Sequence, residues 1–236
     1  STSYFEDHLL VRSGIETTDE FFKGLTKTIN RHLQTPGREV QSASETSFDK
    51  WINQGGDHGR NYSTNIYSEG SLLSMVLDID LLEKTAGKVS YRDVHKALYN
   101  NHKLPAGFDE KDVLSILQNL SGLDYSDWWE GHVDSPANID FDELLNKVGL
   151  IFERPKGAEA IASIDAVAKN TGQLLTLTHV QRGGRAWKAG LTTNDKIVAI
   201  NKLHVNKDLK SSLETFKPGD KVVIDFIRRD ALQSLT

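Results

Sequence analysis

Two textures follow one another along this chain, and the change between them near residue 147 limits the fold more than any other feature. Before it, a Ser, Thr or Asp recurs three residues ahead of an acid. In that arrangement the cap side chain and the acid each accept from the other's backbone N–H at a helix start. Thr17-Thr18-Asp19-Glu20 precedes Phe22, Leu25, Ile29 and Leu33, one face of an amphipathic helix that should stop before Pro36-Gly37. Ser90-Tyr91-Arg92-Asp93 and Asp109-Glu110-Lys111-Asp112 open two shorter helices. Residues 70–85, with Leu72, Leu73, Val76, Ile79 and Leu82, are apolar over more than a narrow stripe, which predicts a helix deep between neighbours. Residues 1–10 read as the inside of a helix. Asp127-Trp128-Trp129 and Asp140-Phe141-Asp142-Glu143 continue the pattern across a break at Asp134-Ser135-Pro136.

Beyond residue 147, residues 173–180, 196–200 and 221–227 are rich in β-branched residues and bounded by Gly, Asn or Asp, the mark of strands. Between them, Ala186-Trp187-Lys188-Ala189-Gly190 reads as a short helix closed by Gly, and 206–215 as a second helix. The expected fold is multidomain: an all-α helical segment over 1–147, then an α+β domain over 148–236. The last six residues read as stopping short of a final strand, an edge that another copy of the chain would complete.

Composition narrows the function. Twenty-eight Lys and Arg against 33 Asp and Glu give a net charge of −5, with no long basic run, which argues against a nucleic-acid partner. The absence of cysteine excludes disulfides, Cys-ligated zinc and a Cys nucleophile, and suits a reducing or an oxidising compartment equally. The longest apolar stretch, 72–82, carries Ser74, Asp78 and Asp80 and is far short of the ~20 residues of a membrane span.

Residues 177–201 resemble a bacterial-type PDZ domain: a strand ending at Val180, the turn Gly183-Gly184, then Arg185-Ala186-Trp187-Lys188-Ala189-Gly190-Leu191, Asn194-Asp195-Lys196-Ile197 and Ala199-Ile200-Asn201. Ala186 and Ala189 let the short helix approach the sheet, Gly190 suits a left-handed cap, and Leu191 fills the core. The resemblance implies a peptide ligand added as a strand along 161–167, against the 206–215 helix. Ile164, Val167, Leu209 and Leu213 are the groove candidates, with core packing as the competing reading of all four. No Gly-Leu-Gly-Phe-like loop stands near Ala162-Ser163-Ile164-Asp165, so an internal segment, or docking onto a peptidase domain, is as open as capture of a free C-terminus.

The helical part resembles the glycyl aminopeptidase family, zinc peptidases of the gluzincin clan related to aminopeptidase N. The resemblance rests on an ordered set: Thr2-Ser3-Tyr4-Phe5-Glu6-Asp7 with Arg12-Ser13-Gly14, Pro36-Gly37-Arg38, Gln41-Ser42, Ser47-Phe48-Asp49-Lys50-Trp51, Ile66-Tyr67-Ser68-Glu69-Gly70-Ser71-Leu72 and Leu120-Ser121-Gly122-Leu123-Asp124. It implies a zinc site whose His-Glu-x-x-His and third ligand lie upstream of Ser1, in a peptidase portion missing from this chain. The chain itself would then hold no zinc and be inactive. The resemblance also implies a catalytic role for Tyr67, whose phenol would donate a hydrogen bond to the oxyanion of the tetrahedral intermediate. Glu69 stands where the family usually has Lys, either altering substrate preference or as a tolerated surface change.

The remaining polar residues read more plainly. The eight histidines show no His-x-x-x-His spacing and read as surface or structural residues. Gly55-Gly56-Asp57-His58-Gly59 reads as a flexible connection near the active-site rim, Trp128-Trp129 as domain-junction packing, and Asp78 and Asp80 as a capped or salt-bridged pair facing the missing portion. Two functions follow. One is a piece of an aminopeptidase removing N-terminal residues, small ones such as Gly or Ala, from a peptide substrate. The other is a non-catalytic scaffold whose PDZ-like module holds a peptide. A separate regulatory half that docks onto a catalytic half would expose apolar surface around 72–82 and either form a homo-oligomer or be poorly soluble.

Overall fold

The computed structural model describes residues 2–52, 55–153, 162–172, 174–205 and 208–236; Ser1, Ile161, Gln173 and Asn206, named in the expectations above, lie outside them. The chain divides into two compact units, Ser1–Asn53 with Tyr62–Glu153, and Gln54–Asn61 with Arg154–Thr236. The first is helical, and the second is built on an antiparallel sheet.

The helical unit contains α1 (Thr2–Arg12), α2 (Thr18–Leu33) and α3 (Ala43–Asp49); α4 (Gly56–Tyr62) is described with the second unit. It continues with α5 (Ile66–Lys84), α6 (Tyr91–His102), α7 (Glu110–Ser121), α8 (Ser126–Trp129) and α9 (Phe141–Asn146). The reciprocal caps form as the spacing predicts. Thr17 Oγ1 accepts from Glu20 N while Glu20 Oε2 accepts from Thr17 N at 2.9 Å, and Ser42/Glu45 and Asp109/Asp112 repeat the arrangement. At Ser90 only the acid accepts: Asp93 Oδ2 takes Ser90 N at 3.0 Å and the Ser90 hydroxyl at 2.6 Å. Helix α5 is the core element. Leu72, Met75, Val76 and Ile79 pack with Tyr4, Ile29 and Phe141, while Leu77 and Leu81 face Val94, Leu117 and Tyr125, so no polar face is left. The apolar surface expected at 72–82 in a regulatory half is therefore buried, with Leu82 its exposed member.

Asp78 and Asp80 are each held by partners within the helical unit. Asp78 accepts from Tyr4 Oη at 2.5 Å and from Tyr91 N at 2.7 Å, tying α1 and α6 to α5. Asp80 accepts from Tyr125 Oη at 2.9 Å and pairs with Lys84 at 3.0 Å. Burial, reinforced by these carboxylates, raises both phenol pKa values. At Gly37, in the 3₁₀ turn Pro36–Glu39, a Cβ would lie 2.1 Å from the Ser63 carbonyl oxygen, so only glycine permits this close approach of the two backbones.

In the second unit, β1 (Ala166–Asn170), β2 (Leu175–Val180), β3 (Lys196–Ile200), β5 (Ile224–Arg228) and β6 (Ala231–Leu235) lie side by side in that order, all antiparallel. The short β4 (Leu203–His204) pairs with β3. Helix α10 (Arg185–Ala189) ends at Gly190 with φ 93°, and Leu191 beyond it is buried, as the sequence predicts. Helix α11 (Leu209–Leu213) is shorter than expected. Leu175, Leu177, Ile197, Ile200 and Phe226 form the core beneath α10 and α11. The buried Asp195 carboxylate is held by a two-pronged contact from Arg228, both bonds 2.7 Å, and by Thr192 N.

Two readings change here. Residues 231–235 do form a strand, because Arg229 and Asp230 take φ of 48° and 63° in a two-residue turn that returns the chain onto β5. The glycine-rich stretch at 55–59 is not a connection but enters α4, which belongs to the sheet unit. Asp57 and Asn61 lie one turn apart on that helix. Asn61 Nδ2 donates to Val180 O at 2.8 Å and Asn61 Oδ1 accepts from Arg182 N at 2.9 Å, so a side-chain amide takes the place of a neighbouring strand. Asp57 accepts from Val180 N at 3.1 Å and His179 Nδ1 at 2.6 Å. Among the described residues, no helix is long and apolar enough to cross a membrane.

Candidate functional site

Tyr67 stands in the first turn of α5. Asn65 caps that turn, its Oδ1 accepting from Tyr67 N at 3.0 Å and Ser68 N at 3.4 Å, so the backbone beneath the phenol is held by its own cap. The ring is 60% exposed and lines a cavity of about 370 Å³ shared with Thr2, Ser3, Ser47, Lys50, Trp51, Ile66 and Gly70. Gly70 opens the wall one turn along, since no side chain projects there. Lys50 Nζ lies 5.5 Å from the centre of the Tyr67 ring, within cation–π range. A second cavity of about 300 Å³ shares Ser47, Ile66 and Gly70 with the first and runs on past Leu73 to Trp128, Trp129 and Val133. The tryptophan pair thus packs inside the helical unit. Trp128 stacks on His132, ring centres 4.5 Å apart, where α8 passes into a π-helical turn over Glu130–Asp134.

Glu69 overturns the reading of a tolerated surface change. It is 6% exposed, and its Oε2 accepts from His32 Nδ1 at 2.9 Å, joining the first turn of α5 to α2. The edge of Phe141 closes over His32, whose Nε2 has no hydrogen-bond partner among the described residues. Thirty-seven residues separate the two groups, so no local spacing announces the pair.

Zinc does not fit the described residues, which contain no group of three or more His, Asp or Glu side chains placed to hold a metal ion. No chemical step is assigned to a metal within this chain.

The four groove candidates separate. Ile164, Leu209 and Leu213 are buried in the core of the sheet unit, while Val167 on β1 is 47% exposed. Ile164 and Leu213 meet on one cavity of about 380 Å³, with Ala162, Phe216 and Leu235; Val167 and Leu209 do not line it. The loop leading into β1 is pinned by Asp165, at φ 58°, whose carboxylate pairs with Arg185 at 3.0 Å. Among the described residues, strand β1 lies at the edge of the sheet, with β2 as its neighbour on one side.

Residues 1–73 match the family model for M61 glycyl aminopeptidase, a stretch that includes α1 to α4 and the Tyr67 turn of α5. Across 99% of its length the chain is similar, with a TM-score of 0.85 and 30% sequence identity, to a crystal structure of an aminopeptidase N family protein from Idiomarina loihiensis. It spans 43% of that chain's length. No curated protein matches it. The two likenesses support a peptidase-family origin for a helical segment followed by a small antiparallel sheet domain.

Proposed function

We propose that the chain is the C-terminal portion of a zinc-dependent aminopeptidase that removes N-terminal residues, small ones such as Gly or Ala, from peptides. In this reading the Tyr67 hydroxyl donates to the oxyanion of the tetrahedral intermediate. One observation carries it: within the stretch that matches the peptidase family, the phenol is exposed on a cavity wall and held on a capped helix turn. A phenol keeps its proton at neutral pH and donates a directional hydrogen bond, and a rigid helix start spares it reorganisation as charge develops. The zinc belongs to residues outside this chain, which by itself is proposed to be inactive.

The test is Tyr67→Phe in the intact protein. The expected outcome is a fall in kcat of about 10²–10³ with little change in KM, the scale of one lost oxyanion donor. An unchanged kcat would remove Tyr67 from the mechanism. Failure of the intact protein to release N-terminal Gly or Ala would remove the peptidase reading and favour the non-catalytic scaffold.

We also propose that the sheet unit is PDZ-like and takes an extended peptide along the edge of β1 that has no neighbouring strand among the described residues, with an apolar side chain entering the cavity at Ile164 and Leu213. The edge strand, and a cavity lined by Ile164 on the loop leading into that strand and by Leu213 on α11, support this reading. Titration with an extended apolar peptide should move the amide resonances of Ile164, Val167 and α11 together. Shifts confined to other strands would sink the idea.

A further inference from the structure

The Tyr67 cavity has a one-sided charge. Of the side chains that line it, Lys50 is the one that is ionised at neutral pH; the others are hydroxyls, Trp51, Ile66 and the phenol itself. Glu69, the nearest acid in sequence to Tyr67, is turned away into its pair with His32. Among the described residues no carboxylate lies within ion-pair distance of Lys50, whose ammonium rests instead against the Tyr67 ring. An ammonium over an aromatic face is attracted to it but has no counter-charge there, so it stays available to an incoming anion. Among the described residues the same wall has no carboxylate to pair with the cationic α-amine at the start of a peptide.

We infer that Lys50 is a specificity-determining residue, receiving a carboxylate of the peptide beside Tyr67, and that the substrate's amino end is held elsewhere. The inference rests on the proposed role of Tyr67, and it sets the direction in which a peptide lies. The carboxylate is either the α-carboxylate of a short peptide or an acidic side chain beyond the cleaved bond; both present the same anion to the same ammonium.

The experiment compares kcat/KM in the intact protein for two matched pairs, glycyl-alanine against its C-terminal amide, and glycyl-glutamate amide against glycyl-glutamine amide. The wild type should favour the anionic member of at least one pair by about five- to tenfold, the scale of one partly exposed charge-assisted contact. Which pair responds identifies the source of the carboxylate. In Lys50→Met that ratio should fall towards one, and in Lys50→Arg it should be kept. Added salt should lower the wild-type ratio by screening the contact. A wild-type ratio near one in both pairs, or ratios unchanged in Lys50→Met, would overturn the proposal. The second of these is the outcome if Lys50 merely supports the phenol, because anionic and neutral substrates would then lose rate equally. If the intact protein cleaves none of the four, the peptidase reading fails separately. Binding of the same pairs to the 236-residue chain, followed at the Trp51 indole resonance, then decides Lys50. Tighter binding of the anionic member that disappears in Lys50→Met supports it, and equal binding of both members overturns it.

Discussion

The helical unit sets its element boundaries with partners three residues away, whereas the sheet unit depends on partners far along the chain. Thr17 with Glu20, Ser42 with Glu45, Ser90 with Asp93 and Asp109 with Asp112 each close a helix start inside one turn. In the sheet unit the Asp195 carboxylate waits for Arg228, 33 residues on, and the end of β2 is completed by Asn61 and Asp57, 119 to 123 residues earlier. A local cap survives as long as its own turn does. A long-range clamp forms only when the whole unit has closed, so its loss should weigh more.

The sharpest test of that contrast is Asn61→Ala. It leaves the Val180 carbonyl and the Arg182 N–H without their partner at a fully buried side chain, and unpaired buried groups cost about 1–3 kcal/mol each. Urea unfolding should show a loss of about 2–4 kcal/mol, with amide protection falling along β2; a midpoint equal to wild type would break the contrast. Thr17→Ala removes a local cap on an exposed turn and should cost about 1 kcal/mol. A loss as large as that of Asn61→Ala would erase the distinction between the units.

The smallest effect concerns acid. Burial opposes the charge on Asp57, but hydrogen bonds from Thr193, Val180 and His179 outweigh it and hold this carboxyl below its ordinary pKa of 3.8. A depressed folded pKa means stability that is present above the unfolded value and lost as pH falls through the folded one. The stability gap between wild type and Asp57→Asn should therefore narrow as pH drops from 5 to 2, by about 1 kcal/mol or less for a partly exposed group. A gap that stays constant over that range would show that the charge on Asp57 contributes nothing.

Much of the helical unit was legible because its signals are short. The caps, the all-round apolar α5 and the stop before Pro36-Gly37 each involve neighbours within a turn or two. The same holds for Gly190, where a left-handed cap demands a residue without a side chain. The two-residue turns were not legible. Asn201-Lys202 and Arg229-Asp230 take positive φ without glycine, so neither carries the Asn-Gly mark of such hairpins, and β6 went unseen with the second. Helix α4 was hidden for another reason: its glycines argue against a helix by about 1 kcal/mol each, and what holds it is the remote end of β2.

At the candidate site, the sequence by itself placed a phenol three residues ahead of an apolar helix expected over residues 70–85; the structure starts that helix at Ile66, behind an Asn65 cap that the spacing does not suggest, so the phenol stands in its first turn. Tertiary structure decided what surrounds that phenol. It turned Glu69 inward to His32, brought Lys50 over the ring, and placed Thr2 and Ser3 on the same cavity wall. The physical reason is chain separation. Contacts within one helix turn follow from spacing, while groups 17 to 65 residues apart meet only where packing of the core brings their backbones together.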